Sequence, residues 1–322
     1  MKNTKHSVKI ITLAALFLFG CSFLLFKPLR SFVYRESPKQ CSVDILVFSY
    51  DRPMQLYACL ESIYTNLSHV GQISVIARVS NEEYRKGYEI VENTFQDVRF
   101  LFQGANPKED FKPLVMKTVF GSGSSYIAFA VDDIIVKDCV DLSQCCLAIE
   151  LLNAWGFYLR LGKNITHCYM QNKDIELPRL TFWKNEVYTW TFANAEGDWG
   201  YSNSVDMTVY SKEKICKDLE KIEFYSPNSL ESHWAQKSKK KKIGACYTTS
   251  KIVNFPLNLV NLSSNRNMQS NEAPELLRVF QAGLKMDIAP FDKMQNRSPH
   301  EEITPMFIPR SNDEIFYKRQ AI

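Results

Sequence analysis

The sequence predicts an α/β fold: a mostly parallel sheet flanked by helices, followed by a less regular C-terminal half. Three observations carry this expectation. Between residues 43 and 150, short apolar runs alternate with segments of helical spacing, the order that builds parallel strands with crossover helices. The 322 residues are 45% hydrophobic and 23% charged, a globular composition that excludes a disordered, collagen-like or mainly membrane-embedded chain. Beyond residue 150 the alternation fades, and aromatic, Gly and Asn residues become dense around Trp183, Trp190, Trp199 and Tyr201.

In chain order, residues 10–26 form a run of 17 residues without a charge. As a helix it spans about 26 Å, the low end for crossing a bilayer. Lys2, Lys5 and Lys9 precede it, while Lys27 and Arg30 follow. This pattern predicts a cytoplasmic start and signal anchor over residues 1–34 and a linker over 35–42. The body would then sit as a single-pass membrane protein on the side away from the N-terminus. Two rivals stay open: a lipoprotein signal, because Leu18-Phe19-Gly20-Cys21 is like a lipobox with a bulky Phe19, and a buried core helix. The charge follows the same division. Thirty-nine Lys and Arg against 35 Asp and Glu give +4, but residues 1–40 alone carry +6 and the body −2. So small a net charge gives no nucleic-acid footprint, and no nucleic-acid partner is expected.

The apolar run at residues 43–49 reads as a buried strand, ended by Tyr50-Asp51-Arg52-Pro53. Leu56, Leu60 and Ile63 give residues 54–64 a helical face. Residues 73–79 form a second strand, 82–95 a helix, 98–103 a third strand and 111–120 another helix. Residues 126–131 make the clearest buried strand. These elements compose a nucleotide-binding half over 43–150, with an acceptor and catalytic half over 151–310 and a polar tail over 311–322. Late in the chain, Pro274 and the row Leu276, Leu277, Phe280 and Leu284 predict a helix over 272–285. Five of the six residues 237–242 are Lys; they read as a solvated loop, or as a contact for anionic lipid or a phosphorylated acceptor.

Apart from Cys21, eight cysteines remain. None has C-x-x-C spacing, so zinc-binding and thioredoxin readings are weak, and disulfides are permitted without a readable pairing. Asn66, Asn164, Asn261 and Asn296 open N-x-S/T sequons, relevant only in a eukaryotic secretory pathway.

The strongest chemical signal is Val131-Asp132-Asp133-Ile134, two acids directly after a buried strand. In open α/β sheets ligands gather beyond the carboxyl ends of strands. Adjacent carboxylates there suit Mg²⁺ or Mn²⁺ together with a substrate diphosphate; the alternative is a turn or helix cap. Arg160 has the donor fork for a phosphate, or makes a structural ion pair. His300, in a Ser-Pro-His-Glu turn, is a candidate metal or phosphate contact, or an ordinary loop histidine.

The order strand, Tyr50-Asp51-Arg52-Pro53 turn, helix and later Phe129-Ala130-Val131-Asp132-Asp133 resembles the bacterial-type GT-A fold (Rossmann-type) glycosyltransferases that use nucleotide sugars. The later segments Tyr158-Leu159-Arg160-Leu161-Gly162-Lys163-Asn164, Gly197-Asp198-Trp199-Gly200-Tyr201, Ser204-Val205-Asp206, Pro227-Asn228-Ser229-Leu230-Glu231 and Asn296-Arg297-Ser298-Pro299-His300-Glu301 extend the resemblance over roughly residues 43–310. It implies that Ser49, Tyr50, Asp51 and Arg52 hold the nucleobase end of a nucleoside-diphosphate sugar. An Asp-x-Asp motif would hold ribose and metal. Val131 stands where the first acid belongs, so Asp132 would face the ribose or a metal-bound water, with Asp133 the direct ligand and His300 completing the set. The acceptor would be a hydroxyl of a glycan, lipid or protein.

If the anomeric centre inverts, a second carboxylate must take the acceptor proton. Asp198, Asp206 and Glu231 compete for this role. Asp198 leads because Trp199 beside it is suited to stack on a sugar, although buried core is the commoner fate of a Trp. Asp206 is also suited to a donor-sugar hydroxyl, and Glu231 to orienting a helix that starts at Pro227-Asn228-Ser229. A nucleotidyltransferase would need a Gly-rich phosphate loop after the first strand, which Tyr50-Asp51-Arg52-Pro53 is not. A non-catalytic sugar- or nucleotide-binding surface protein of the same fold stays open because the first acid is missing.

Overall fold

Val43–Tyr50 is polar only at Asp44, Ser49 and the Tyr50 hydroxyl and forms the first strand, β1, buried along almost its whole length. Its alternation feeds two cores. Ile45 and Val47 pack in one cluster with Met54, Leu56 and Leu60, whereas Leu46 and Phe48 pack in a second with Phe111, Val115 and Trp234. A strand covered on both faces has no polar side to show, hence the unbroken apolar run from Ile45 to Phe48. The computed structural model describes residues 41–237, 239–240, 242–258 and 272–311. The expected anchor at 1–34, the sequon at Asn261 and nearly all of the expected tail lie outside these residues. Among the described residues no helix is long and apolar enough to cross a membrane.

Three further strands of the main sheet come from the first half: β2 (Val70–Arg78), β3 (Arg99–Phe102) and β4 (Tyr126–Val131). Between them run α1 (Pro53–Asn66), α2 (Glu82–Thr94) and α3 (Pro107–Phe120). Pro opens α1 and α3, where its missing N–H is not needed. Asn81 caps α2 by accepting from the backbone N–H groups of Glu83 and Tyr84. Strands β1–β4 pair only in parallel with one another, as the alternation of strand and helix predicts.

The second half is more regular than its sequence suggests. After α4 (Leu142–Leu151) it supplies β5 (Gly156–Tyr158), β6 (Thr181–Phe182), β7 (Val187–Thr191), β8 (Thr208–Ser211) and β9 (Ile243–Tyr247). All join one nine-stranded sheet in the order β6-β7-β9-β5-β8-β4-β1-β2-β3. Here pairing is mostly antiparallel, with β8 antiparallel to both β4 and β5. These strands are two to five residues long, too short for a period to show. Helices α5 (Gly197–Gly200), α6 (Lys212–Lys221) and α7 (Pro227–Ala235) lie between these strands in the chain.

The late helix, α8 (Ala273–Gln281), is shorter than the 272–285 expected. Gly283 takes φ +92°, a conformation that suits glycine and ends the helix. Leu284 then starts a strand, Leu284–Met286, paired with Phe307–Pro309. Gly162 marks a close crossing of two segments. A Cβ there would lie 2.4 Å from the Ser250 backbone N and 2.6 Å from the Thr249 Cα. The sequons at Asn164 and Asn296 are part of the same region. Asn164 Nδ2 donates to the Asn296 carbonyl at 2.7 Å, and Asn296 is 1% exposed, so both amides serve packing.

Candidate functional site

The parallel pairing of β1 with β4, Phe48 opposite Val131, sets the end of β1 beside Asp132 and Asp133. The Asp132 N–H extends this pairing by donating to the Phe48 carbonyl at 3.1 Å. Local sequence fixes the rest. Pro53 starts α1 immediately after the turn, and Asp51 adopts φ +52° at the reversal, a sparsely populated conformation for a residue with a Cβ.

Asp132 is 3% exposed and fully engaged. One of its oxygens accepts from Ser49 Oγ at 2.8 Å and from the Tyr50 N–H at 3.3 Å; the other accepts from Arg52 Nη1 at 3.0 Å. Because the single Ser49 hydroxyl proton goes to Asp132, Tyr88 Oη donates to Ser49 Oγ at 2.6 Å and accepts from the Arg52 N–H at 3.3 Å. Burial pushes the Asp132 carboxyl up, against the pull of Arg52.

Asp133 Oδ2 accepts from the same Arg52 Nη1 at 3.1 Å. Its Oδ1 is buried without a hydrogen-bond partner. Burial, opposed by Arg52 and reinforced by Asp132 and Asp206, lifts the carboxyl to about 6. Arg52 thus bridges two acids with one nitrogen, and its Nη2 donates to the Asn258 carbonyl. Its Nε remains without a partner.

The reversed strand β8 brings the other acids to this edge. Thr208 lies opposite Phe129, and the Met207 N–H donates to the Phe129 carbonyl at 2.8 Å. The residues just before β8, including Asp206, therefore emerge where β4 ends. Asp206 is close enough to raise both Asp133 and Glu231. Glu231, in α7, accepts from the Val205 N–H at 3.0 Å. Burial, together with Asp206, lifts its carboxyl to about 7.

Arg160 lies close to these acids, 1% exposed. Its Nη1 donates to Asp198 at 2.8 Å and its Nη2 to the carbonyls of Asp198 and Tyr201. The charges of Asp198, Asp206 and Glu231 hold the guanidinium ionised against its burial. Trp199 is wholly buried and its indole donates to the Ile165 carbonyl at 3.1 Å. It is a core residue and offers no face to a sugar, which removes the reason for preferring Asp198 over the other acids.

The residues singled out in the sequence therefore gather in two adjoining groups. Ser49, Tyr50, Arg52, Asp132 and Asp133 form one; Arg160, Asp198, Asp206 and Glu231 form the other; and Asp206 is felt by both. His300 joins through an isolated bridge to Asn254 and stacks on Tyr169 with ring centroids 5.7 Å apart. Its charge is near enough to lower Asp133. Asp51 turns elsewhere: its carboxylate accepts from the Ser80 N–H at 2.9 Å. Tyr88, Gln55 and Asn258 were not singled out in the sequence. Tyr88 was hidden in the apolar row of a helix, and Asn258 follows Pro256 and Leu257 with no motif around it.

A metal held by protein alone has no seat here: among the described residues no three His, Cys, Asp or Glu side chains gather closely enough. A Mg²⁺ or Mn²⁺ held partly by substrate phosphates asks for only one or two carboxylates. The unpartnered Asp133 Oδ1, with Asp206 and His300 close enough to act on the carboxyl, fits that smaller demand.

No protein-family model matches the chain. The chain is similar to a glycosyltransferase. Over 202 residues it is 30% identical to the bifunctional glycosyltransferase pgtA of Dictyostelium discoideum; the match covers 57% of this chain and 25% of the relative. The chain thus spans about a quarter of that protein's length. Among solved structures, S. aureus TarS 1–349 in complex with UDP shows a TM-score of 0.41 at 12% identity, over 64% of this chain and 58% of that one. Its complex with UDP-GlcNAc shows a TM-score of 0.40 at 11% identity, over 75% and 66%.

Proposed function

We propose that this protein is a GT-A-type glycosyltransferase that passes a sugar from a nucleoside-diphosphate donor to a hydroxyl of a glycan, lipid or protein, with Mn²⁺ or Mg²⁺ at Asp133. The observation that carries the reading is the buried Asp132-Asp133 pair at the end of the central strand, with one Asp133 oxygen left without a hydrogen-bond partner at the edge that Asp206 and Glu231 also reach. The similarity to pgtA supports the same class.

Each residue has a physical part. Asp132, its oxygens all engaged, fixes the loop of Ser49, Tyr50 and Arg52. Arg52 balances the two carboxylates and presents positive charge where a diphosphate arrives. Asp133, with Asp206 and His300 beside it, would hold the divalent cation, which when bound offsets negative charge growing on the leaving diphosphate. Glu231 takes the proton of the acceptor hydroxyl. A carboxyl near 7 has enough basicity for this work and is ionised above that pH. Arg160 holds Asp198 and steadies the acidic group. The charge-free span at residues 10–26 would tether the body to a membrane.

The test is a panel of nucleotide sugars assayed for donor hydrolysis and transfer with Mn²⁺ and after chelation. Asp133→Asn keeps an acceptor for Arg52 but loses the charge, and is expected to lower turnover about 100-fold or more while the protein stays folded. Full activity in that variant would refute the metal seat. Failure of the wild-type chain to bind any nucleoside diphosphate would refute the function.

A further inference from the structure

Three buried polar atoms in one connected group have no hydrogen-bond partner: Arg52 Nε, Asn258 Nδ2 and Asp133 Oδ1. Buried polar groups in folded proteins are almost always satisfied, so a cluster of exceptions is where a ligand, an ion or water supplies the missing partners. The group is built and held in place. Arg52 Nη1 spans Asp132 and Asp133, and its Nη2 donates to the backbone carbonyl of Asn258. Gln55, 2% exposed in α1, donates Nε2 to Asn258 Oδ1 at 3.3 Å. This contact orients the Asn258 amide so that Nδ2 is the free end. Asn258 itself is 4% exposed.

The chemistry of the three atoms is specific. Two are N–H donors, one of them on a cation, and call for an anionic oxygen. The third is a carboxylate oxygen and calls for a cation or a hydroxyl. A diphosphate paired with a divalent cation satisfies all three at once. We propose that Asn258 is a donor-binding residue that, with Arg52 Nε, receives an oxygen of the donor's diphosphate, and that Gln55 positions it. This rests on the nucleotide-sugar reading above and adds to it a phosphate contact outside every motif of the sequence.

The test is calorimetric titration of the full chain, with Mn²⁺ present, using UDP, GDP, CDP and ADP and then the nucleoside matching whichever binds. Asn258→Asp retains the shape and the oxygen that accepts from Gln55 but turns the free donor into an acceptor. Asn258→Ala removes the amide outright. Both are expected to weaken the diphosphate at least about tenfold, the size of one hydrogen bond to a charged group. The nucleoside, which lacks the phosphates, should change by less than about twofold. Equal diphosphate affinity in the variants, or equal loss for nucleoside and diphosphate in a folded protein, overturns the role of Asn258 and leaves the nucleotide-sugar reading standing. If no diphosphate binds the wild-type chain, both fall together.

Discussion

Glu231→Gln gives the sharpest prediction, because its sign changes with what is measured. Burial and the neighbouring Asp206 raise the Glu231 carboxyl from 4.5 to about 7. Between those values the folded protein keeps a proton that the unfolded chain has released, so stability falls as pH rises through this window. At about 1.4 kcal/mol per pKa unit, ionised Glu231 costs the fold about 3–4 kcal/mol, fully so above pH 7. A glutamine keeps an oxygen for the Val205 N–H, which now reaches Glu231 at 3.0 Å, and never ionises. Urea unfolding should find the variant about 3–4 kcal/mol more stable than wild type at pH 8.5, and within about 1 kcal/mol at pH 5. Transfer should move the other way, falling about 100-fold or more if Glu231 takes the acceptor proton. In the wild type, kcat/KM should rise with pH and level off above about 7. A stability difference that is the same at both pH values would refute the raised carboxyl, and with it the argument that burial has prepared a base.

Two further predictions concern stability. Arg52→Met leaves Asp132 and Asp133 buried without their shared cation and should cost about 3–5 kcal/mol at pH 8. Urea titrations should show the loss shrinking below pH 6, as the raised carboxyls take up protons. Gly162→Ala would force a methyl group against the backbone of Thr249 and Ser250. It should cost about 3 kcal/mol, seen as a lower Tm, and an unchanged Tm would refute the close crossing.

The first half was legible because its elements are long and its core is two-sided. The strand expected at 126–131 is β4 residue for residue, and β1 extends only to Tyr50. The second half was not, since strands such as β5 and β6 carry two or three residues each and are defined by neighbours far along the chain. Gly283 shows a smaller failure of the same kind: the apolar row ran on to Leu284, but backbone conformation ended the helix first. At the site, the paired acids and the Arg52 turn could be read because strand ends are sequence features. Asn258 could not, because its meaning comes from Gln55 and Arg52, both some two hundred residues earlier. Trp199 misled for the opposite reason: an aromatic beside an acid reads alike whether it faces a ligand or the core.

The direction of β8 has a consequence for how the acidic group is assembled. Its partner in β4 lies 79 residues away at the Phe129–Thr208 pair, and until the two meet, Asp206 is nowhere near Asp133. Pairings so distant in sequence close late, after the local βα units have formed. During refolding, helix content should therefore return before the proposed nucleoside-diphosphate binding. A newly made chain would hold its two halves of acidic chemistry apart until most of the sheet is assembled.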